Sequence, residues 1–510
     1  MVVSGDSSFG SDGREQNGSL LCSLLGGGRR VAVEFVRLNR SPPMTHFRHR
    51  VVSAMTTLGV VSLPALAQRP VAVEAGLSPG ATAGGTELDQ LRFRCIGPTR
   101  GGRVTAVAGV AQRPGTFYMG TTGGGVWRTD NFGAAWRNVS DGAFASPSIG
   151  AIRVAPTDEN IVWVGTGSDG LRSNVITGKG VYKSVDGGDN WQFMGLPDAG
   201  LIGAVEVHPH NPEVVFVAAI GDPFAPNPER GLYRSTDGGQ NWQKVLFVSE
   251  RTGAVDVEFC PADPDCIYAC TWEAERKPWT ITSGGKEGGV YRSDDAGNSW
   301  TKISGGLPTD LVGKSDLAVT PSAPDRVYVL IEAPGDQGGL YRSDDRGRSF
   351  EHVSAARSIR TRPFYYTNVD VSPDDPDDVF VSATSFMRSK DGGKSWRSLR
   401  TTHGDHHDLW IHPERPDLWV QGNDGGASVT MDGGRTWSTL NNQPTAELYQ
   451  VAVDNRFPYW LYAGQQDNST IRVPVFPPRR APGGNVGLWE SVGGCETGPV
   501  IPSPVDPDIV

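Results

Sequence analysis

The sequence predicts an all-β fold, a β-propeller of about seven four-stranded blades followed by the start of a second propeller. Three observations support this prediction. An octapeptide pattern returns seven times at a near-constant spacing, and alternating strand patterns surround each copy. The 66 Gly and 37 Pro among 510 residues suit many short strands joined by tight turns. No stretch shows the sustained helical periodicity that an α-rich protein needs.

The octapeptide has the form Ser/Thr-x-Asp-x-Gly-x-x-Trp, which is called an Asp box. Its final aromatic residues are 41 to 58 residues apart, which is the length of one blade. Two copies are degenerate, because one has Asn131 in the Asp place and another ends in Phe350. The five complete copies end in Trp191, Trp242, Trp300, Trp396 and Trp437.

The residues of the Asp box suit a turn better than a catalytic site. The Asp carboxylate and the Ser hydroxyl can accept backbone N–H groups within the loop, and Gly tolerates the positive φ of a tight connection. The aromatic residue can then pack between neighbouring sheets. We therefore assign a structural role to the box aspartates, which are Asp186, Asp237, Asp295, Asp345, Asp391 and Asp432.

Each box lies within a wider unit of four strands, which is one propeller blade. A strand such as GVYKS (180–184) precedes the box and another, WQFMGL (191–196), follows it. Two further strands meet at a Pro- and Asp-rich corner, as in VEVHPHNPEVVFVAA (205–219). The isolated segment LRFRCIGP (91–98) has no blade before it, so we expect it to be the strand that closes the ring.

The start of the chain predicts an export signal. Arg48 and Arg50 precede an apolar run that ends with Ala65-Leu66-Ala67, the small-x-small pattern of a cleavage site. A membrane anchor is the alternative, but the run is short and contains Pro64, so no stable membrane span is expected. Cleavage near Ala67 would give a secreted or periplasmic protein.

The predicted organisation has five parts. They are a disordered leader or over-long start (1–43), a signal peptide (44–67), a linker (68–90), the Asp-box propeller (91–440), and a second, truncated propeller or an extra blade (441–510).

Charge and cysteine content exclude some classes of function. The formal net charge of −10 gives an acidic surface, which argues against general nucleic-acid binding. Zinc-ligand spacing and dinucleotide or phosphate-binding motifs do not stand out, so no metal and no cofactor is expected. Cys260 and Cys266 flank one corner, where they could form a disulfide or simply pack.

Blade topology predicts where a binding site would lie. If strands A to D run outward from the centre, the A–B corners and the Asp boxes share one face. The B–C loops and D–A connections share the other, and they contain the long, chemically varied segments, a typical place for a site. The ligand-binding candidates on this loop-rich face are Arg172, Arg276, Trp279, Arg362, Tyr365, Tyr366, His406, Asp408 and Asp424.

Two interpretations of these residues remain open. The arginines and aromatics suit a sugar or a peptide carboxylate, yet they could instead pair with local acids and plug the channel mouth. The cluster from His403 to Asp408 could bind a metal or form a polar channel lining. Because side chains alternate along a strand, His406 and Asp408 should point away from Asp405 and His407. Asp408, Asp424 and Asp467 are the candidate catalytic acids.

Several segments give the chain a more specific resemblance. GGGVWRTDNFGAAW (123–136), HGDHHDLWIHP (403–413), GNDGGASVTMDGGRTWS (422–438) and the stretch 441–470 resemble exported bacterial BNR-repeat proteins. These are described as glycosyl hydrolase-like or sortilin N-terminal-domain proteins, and the similarity covers about residues 90–510. The resemblance implies an Asp-box propeller and leaves the biochemical role open.

The blades also resemble, more distantly, those of tandem-propeller xyloglucanases, which cleave β-glucans with two carboxylates. That resemblance places one acid at the position of Thr122, and the loss of one acid of the pair puts hydrolysis in doubt. Our principal hypothesis is therefore an exported propeller that binds an extracellular glycan or peptide on its loop-rich face. The alternatives are a glycoside hydrolase with paired carboxylates and a sortilin-like factor for protein binding or assembly.

Overall fold

The computed structural model describes residues 94–172, 174–476, 487–494 and 496–510. The predicted leader (1–43), signal peptide (44–67) and linker (68–90) lie outside the described residues. Within the described part, the regular structure consists of β-strands and two three-residue 3₁₀ helices, Gly335–Gln337 and Arg357–Ile359. None of the described helices has the length and apolar character needed to cross a bilayer.

The strands form eight antiparallel sheets in chain order. The first two sheets contain β1 (Val104–Gly109), β2 (Phe117–Thr121), β3 (Val126–Thr129) and β4 (Arg137–Asn138), then β5 (Ile149–Val154), β6 (Val162–Thr166), β7 (Val181–Ser184) and β8 (Gln192–Phe193). The next two contain β9 (Leu201–Val207), β10 (Val215–Gly221), β11 (Gly231–Ser235) and β12 (Gln243–Leu246), then β13 (Thr252–Phe259), β14 (Ile267–Lys277), β15 (Thr280–Ser283), β16 (Gly289–Ser293) and β17 (Thr301–Lys302).

The remaining four sheets complete the described chain. The fifth and sixth contain β18 (Ser315–Val319), β19 (Val327–Ile331), β20 (Gly339–Ser343) and β21 (Glu351–Ser354), then β22 (Asn368–Val371), β23 (Val379–Ser382), β24 (Met387–Ser389) and β25 (Arg397–Ser398). The last two contain β26 (His406–His412), β27 (Arg415–Asn423) and β28 (Gly426–Thr430), then β29 (Leu448–Val453), β30 (Trp460–Gln465), β31 (Thr470–Pro474) and β32 (Glu490–Gly493).

The first seven sheets close into a ring, so the predicted β-propeller is confirmed. The first strand of each sheet packs against the first strand of the next, and β26 of the seventh sheet packs against β1 of the first. Asp408 Oδ2 on β26 accepts a hydrogen bond of 2.6 Å from the Val107 backbone N–H on β1. Apolar side chains of neighbouring blades, such as Phe117 and Val420, share a core across this closure.

The strand expected to close the ring is absent from the described part of segment 91–98. Residues 94–98 have no strand structure, and Arg94 Nη2 instead donates to the Val475 carbonyl at 2.8 Å, beside the eighth sheet. The seventh blade is completed from its own chain, because Ser438 N–H donates to the Val429 carbonyl at 2.8 Å. A neighbouring chain segment thus satisfies the outer edge of β28 without a borrowed terminal strand.

The Asp boxes form the turns that the sequence predicts. In the second blade, Ser184 Oγ donates to Asp186 Oδ1 at 2.8 Å, and the same carboxylate oxygen accepts the Asn190 backbone N–H. Gly187 and Gly188 have φ values of 70° and 90°, which favour glycine. Trp191 Nε1 then donates to the Val139 carbonyl of the preceding blade at 2.7 Å. The box therefore joins two blades as well as two strands.

A second set of carboxylates, on the innermost strands, links blades around the central channel. Asp256 Oδ2 accepts the Leu317 N–H at 2.8 Å, and Asp316 Oδ2 accepts the Val369 N–H at 2.7 Å. The Asp408 bond to blade one repeats this arrangement at the ring closure. The sequence analysis missed it, although an acid within an otherwise apolar strand was a visible signal.

Cys260 and Cys266 are buried thiols at the corner of the fourth blade. Their backbones are paired directly, with Cys260 N–H donating to the Cys266 carbonyl at 2.9 Å. Of the two possibilities left open by the sequence, the structure has the packed, reduced pair.

The eighth sheet lies beside the ring and is joined to it by polar contacts. Gln465 Nε2 donates to the Gly101 carbonyl at 2.8 Å, and Asn468 Nδ2 donates to the Asp424 carbonyl at 3.2 Å. Its first strand differs from those of the ring, because Leu448, Val451 and Val453 are all exposed. These contacts place the β30–β31 turn over the loop-rich face.

Candidate functional site

The two faces of the ring are occupied by different classes of loop. On one face each box turn is bonded to the A–B corner of its own blade, as where Gly238 N–H donates to the Glu213 carbonyl. On the other face, B–C loops and D–A connections meet across the channel mouth, as where Leu171 N–H donates to the Phe364 carbonyl at 2.9 Å. The candidate site lies on this second face.

Arg103, which directly precedes β1, is at the centre of the site. Its side chain is 5 % exposed and contacts three carboxylates. Nε and Nη2 donate to the two oxygens of Asp424 at 2.8 and 3.0 Å, forming a bidentate pair. Nη1 donates to Glu447 Oε2 at 2.8 Å, and Nη2 also bonds to Asp467 Oδ2. The guanidinium therefore joins blade one to blade seven and to the eighth sheet.

Among these carboxylates, Asp424 accepts the most hydrogen bonds. In addition to Arg103, it accepts His407 Nε2 at 2.7 Å and the Tyr365 hydroxyl at 3.1 Å to each oxygen. Burial opposes its ionisation, but His407 and Arg103 outweigh burial and hold the pKa of Asp424 well below its usual range. Burial and the Asp424 charge together raise the pKa of the Tyr365 hydroxyl, which keeps it a hydrogen-bond donor.

Asp467 differs from Asp424 although the two lie side by side. Burial and the Asp424 charge raise the pKa of Asp467 to about 6. Its side chain is 18 % exposed, against 1 % for Asp424. Oxygen atoms of Asp405, Asp424 and Asp467 lie within 4.8 Å of one another. The cluster thus holds one carboxylate that stays ionised and one carboxyl that gains a proton near pH 6.

A metal ion would compete poorly for this cluster. The Arg103 guanidinium already bonds to both Asp424 and Asp467, so it supplies the positive charge that a cation would bring. The geometry is that of a charge-assisted hydrogen-bond network rather than a converging ligand set.

Arg172, in the B–C loop of blade two, lies on the other side of Glu447. Its Nη1 donates to both Glu447 oxygens at 3.4 Å, and Asn174 Nδ2 donates to Glu447 Oε1 at 2.5 Å. Burial and the neighbouring Arg103 charge lower the pKa of Arg172. Its Nε and Nη2 are buried and have no hydrogen-bond partner among the described residues.

The structure brings together part of the predicted site. Arg172, Tyr365, Asp424 and Asp467 converge around Arg103, and Tyr366 packs on the His407 ring with centroids 5.6 Å apart. These residues come from chain positions as distant as the second blade and the eighth sheet.

Other predicted residues lie outside the cluster of side chains around Arg103. His406 packs against the Phe386 ring, at a centroid distance of 5.4 Å, and burial lowers its pKa to about 4. Asp408 lies on the central channel, where burial raises its pKa to about 6. A register shift between these two residues breaks the strict alternation that predicted a common direction for them. His406 and Asp408 therefore do not share a surface.

The hairpin β14–β15 carries two further candidates. Arg276 Nε donates to the Arg172 carbonyl at 3.1 Å, which fastens the hairpin to the loop of blade two. Trp279, at the hairpin tip, is 80 % exposed. Arg362 is also exposed and has a φ of 44°, and its carbonyl accepts the Tyr365 N–H at 2.9 Å. These residues surround the convergence rather than forming its centre.

Sequence reasoning missed four charged residues of the mouth. Arg103 and Glu447 were not selected, although each is a charged residue just before the first strand of a blade-like unit. The buried Lys314–Asp169 pair, with a 2.9 Å bond between blades five and two, was missed as well. Thr122, where the xyloglucanase resemblance places an acid, is buried, and its backbone N–H donates to the Arg103 carbonyl at 3.2 Å.

Comparisons with known proteins agree with the repeat and the fold. Sequence profiles described as BNR/Asp-box repeats match residues 233–244 and 340–353, so the chain contains BNR/Asp-box repeats. A xyloglucanase of Hypocrea jecorina is 24 % identical over 235 residues, 40 % of this chain and 26 % of that protein. A probable oligoxyloglucan-reducing end-specific xyloglucanase of Neosartorya fischeri is 24 % identical over 394 residues, 66 % of this chain and 45 % of that protein.

A solved structure gives the same result at the level of fold. The GH74 xyloglucanase of Xanthomonas campestris superposes with a TM-score of 0.55 at 18 % identity, covering 79 % of this chain and 69 % of that one. The chain spans less than half the length of the curated relatives it matches. The neighbours therefore establish a xyloglucanase-type propeller fold, and their activity is not carried over by this likeness alone.

Proposed function

We propose that this protein is an exported glycoside hydrolase of the xyloglucanase type, acting on a β-glucan at its loop-rich face. The observation that carries the proposal is the pair of adjacent carboxyls with opposite pKa shifts, Asp424 below and Asp467 above the usual range. A carboxyl whose pKa is raised beside an ionised neighbour is suited to general acid catalysis, because it keeps its proton in mildly acidic medium. The xyloglucanase relatives favour a glycan as the substrate.

In this proposal Asp467 donates a proton to the glycosidic oxygen as the bond from that oxygen to the anomeric carbon breaks. Water then adds to the anomeric carbon and releases a proton, which restores the acid form of Asp467. It is more exposed than Asp424, and its pKa of about 6 leaves the acid form populated in mildly acidic medium. Asp424 is a positioning residue, since its oxygens are occupied by Arg103, His407 and Tyr365. An inverting pair needs about 6.5–9.5 Å between carboxyls, farther apart than this cluster, so Asp424 is not the partner acid in such a reaction.

The test is reducing-end release from xyloglucan by the mature chain, from residue 68 onward. We expect Asp467→Asn to lower turnover by about 10²–10⁴-fold, because a general acid contributes that much. Wild-type turnover should fall as the pH rises through about 6, since Asp467 then loses its proton. The matched control is Asp432→Asn, which replaces a box aspartate on the opposite face and should leave turnover unchanged. Full activity in Asp467→Asn would contradict the proposal.

Glycan binding without hydrolysis is the second candidate, and Thr122 favours it. The xyloglucanase resemblance places a carboxylate there, and a threonine cannot provide general acid or base catalysis. This function predicts retention of the protein by immobilised xyloglucan in affinity electrophoresis, with no reducing-end release. The two measurements together separate the candidates.

A further inference from the structure

The two arginines of the site use the same guanidinium edge differently. The edge formed by Nε and Nη2 is the one that Arg103 uses to hold the Asp424 carboxylate side-on. In Arg172 both atoms of this edge are buried and have no partner among the described residues. A planar guanidinium edge with two parallel N–H groups matches one carboxylate, as the Arg103 pair demonstrates.

The charges around Arg172 also favour an anion. Among the residues that the structure describes, three carboxylates pair with Arg103, whereas Arg172 pairs with Glu447 alone, at 3.4 Å. The positive charge of Arg103 disfavours the charged form of Arg172, and so does burial. A buried cation with unpaired donors is costly, and a ligand carboxylate would remove that cost.

We propose that the Nε–Nη2 edge of Arg172 is a subsite for a carboxylate group of the glycan, so that the preferred ligand is a β-glucan bearing uronic acid. This inference rests on the proposed glycan function and specifies the substrate class of the same face. A sugar is favoured over a peptide because the relatives that resemble this chain are named for a polysaccharide. Peptide binding is one of the outcomes that the test distinguishes.

The position of Arg172 suits such a role. Glu447, which also accepts a hydrogen bond from Asn174, holds the Nη1 side of Arg172, and the Arg276 bond to the Arg172 carbonyl fixes the backbone. The side chain is 7 % exposed and its Nε and Nη2 atoms are covered by protein, so a glycan carboxylate reaches this edge only when neighbouring side chains move aside, and it is then shielded from water. Charge-assisted bonds are stronger in such surroundings than at an exposed surface.

The test compares two tetrasaccharides with the same β-1,4 backbone, cellotetraose and its tetraglucuronic acid counterpart, by isothermal titration calorimetry on the mature chain. We expect the acidic ligand to bind about 10- to 100-fold more tightly, the range for hydrogen bonds to a charged group. Arg172→Gln should reduce this preference to less than about threefold. Arg172→Lys should also lose most of it, because lysine retains the charge and lacks the planar edge.

Arg251→Gln is the matched control, since Arg251 is 59 % exposed and pairs with Glu275 away from the cluster. It should retain the preference, and thermal unfolding should confirm that all variants are folded. Equal affinity for the two sugars, or a preference that survives in Arg172→Gln, would overturn the inference. So would displacement of bound sugar by a free-carboxyl peptide but not by its amide. The readout is binding, so a failure of hydrolysis leaves this result interpretable.

Discussion

The two faces of the ring both depend on carboxylates, but they use them in opposite ways. On the box face, Asp432 Oδ1 accepts Thr430 Oγ1 at 2.9 Å and the Thr436 N–H at 2.8 Å, all within one short turn. On the loop-rich face, Asp424 binds Arg103, which is 321 positions away in the chain. The first network is local and exposed, whereas the second is long-range and buried.

This difference separates two causes of a lowered pKa. The hydroxyl and backbone N–H of Thr436 lower the pKa of Asp432 to about 2 at the surface. Asp424 is ionised despite burial, because His407 and Arg103 compensate for the lost water. A local network can be replaced by any residue that offers the same acceptor. A buried network depends on each charge, because the loss of one leaves another uncompensated.

The largest expected effect on the free energy of unfolding comes from replacing Asp by Asn on each of the two faces. Asp424→Asn removes the charge that pairs with Arg103 and should lower the free energy of unfolding by about 3–5 kcal/mol. Asp432→Asn should have a much smaller effect, because Asn131 already forms the first box with its Oδ1 accepting the Ala135 N–H at 2.9 Å. Guanidinium unfolding of both variants measures the difference. Equal losses would show that the distinction between the faces is wrong.

The central channel provides a second way to sharpen the comparison, because its carboxyls shift in the opposite direction. Burial raises the pKa of Asp408 to about 6, against about 3.9 in the unfolded chain. Between these values the folded state binds more protons, so stability should rise as the pH falls from 7 towards 4. The gain from Asp408 should be about 2 kcal/mol.

Asp408→Asn tests this contribution, because the amide does not titrate and can still accept the Val107 N–H. We expect its unfolding free energy to change less between pH 7 and pH 4 than that of the wild type. Below about pH 4 both proteins should lose stability, since Asp424 and the box aspartates, whose pKa values are lowered, then gain protons. Parallel profiles for the variant and the wild type above pH 4 would contradict the assignment to Asp408.

The same division decides what the sequence could predict. The box face is encoded in eight consecutive residues, so its turns, its structural aspartates and the blade repeat followed from spacing and turn chemistry alone. The topology of four strands per blade then predicted which loops share the opposite face. Arg172, Tyr365 and Asp424 were selected in this way, since each lies on a loop of that face, and their role as ligand-binding residues stays a prediction.

The centre of the site could not be found in the same way. Arg103 joins Asp424, Glu447 and Asp467, and these contacts exist only after the ring has closed and the eighth sheet is in place. The expected closing strand was wrong for a related reason. Segment 94–98 contacts the eighth sheet through Arg94, and no local pattern distinguishes that partner from the edge of a blade.

The smallest expected effect tests whether the box face also contributes across blades. Trp242 Nε1 donates to the Met194 carbonyl at 2.7 Å, and its ring meets Trp163 edge-on with centroids 6.2 Å apart. Trp242→Phe keeps an aromatic ring and removes the donor, so it should cost about 1 kcal/mol of unfolding free energy. Trp279→Phe is the matched control, because Trp279 is 80 % exposed, and it should leave stability unchanged. If the control lost as much as Trp242→Phe, the inter-blade bond would not be the cause. If only Trp242→Phe lost stability, each box tryptophan that reaches the preceding blade would be a structural link between blades, and the local face would gain a non-local role.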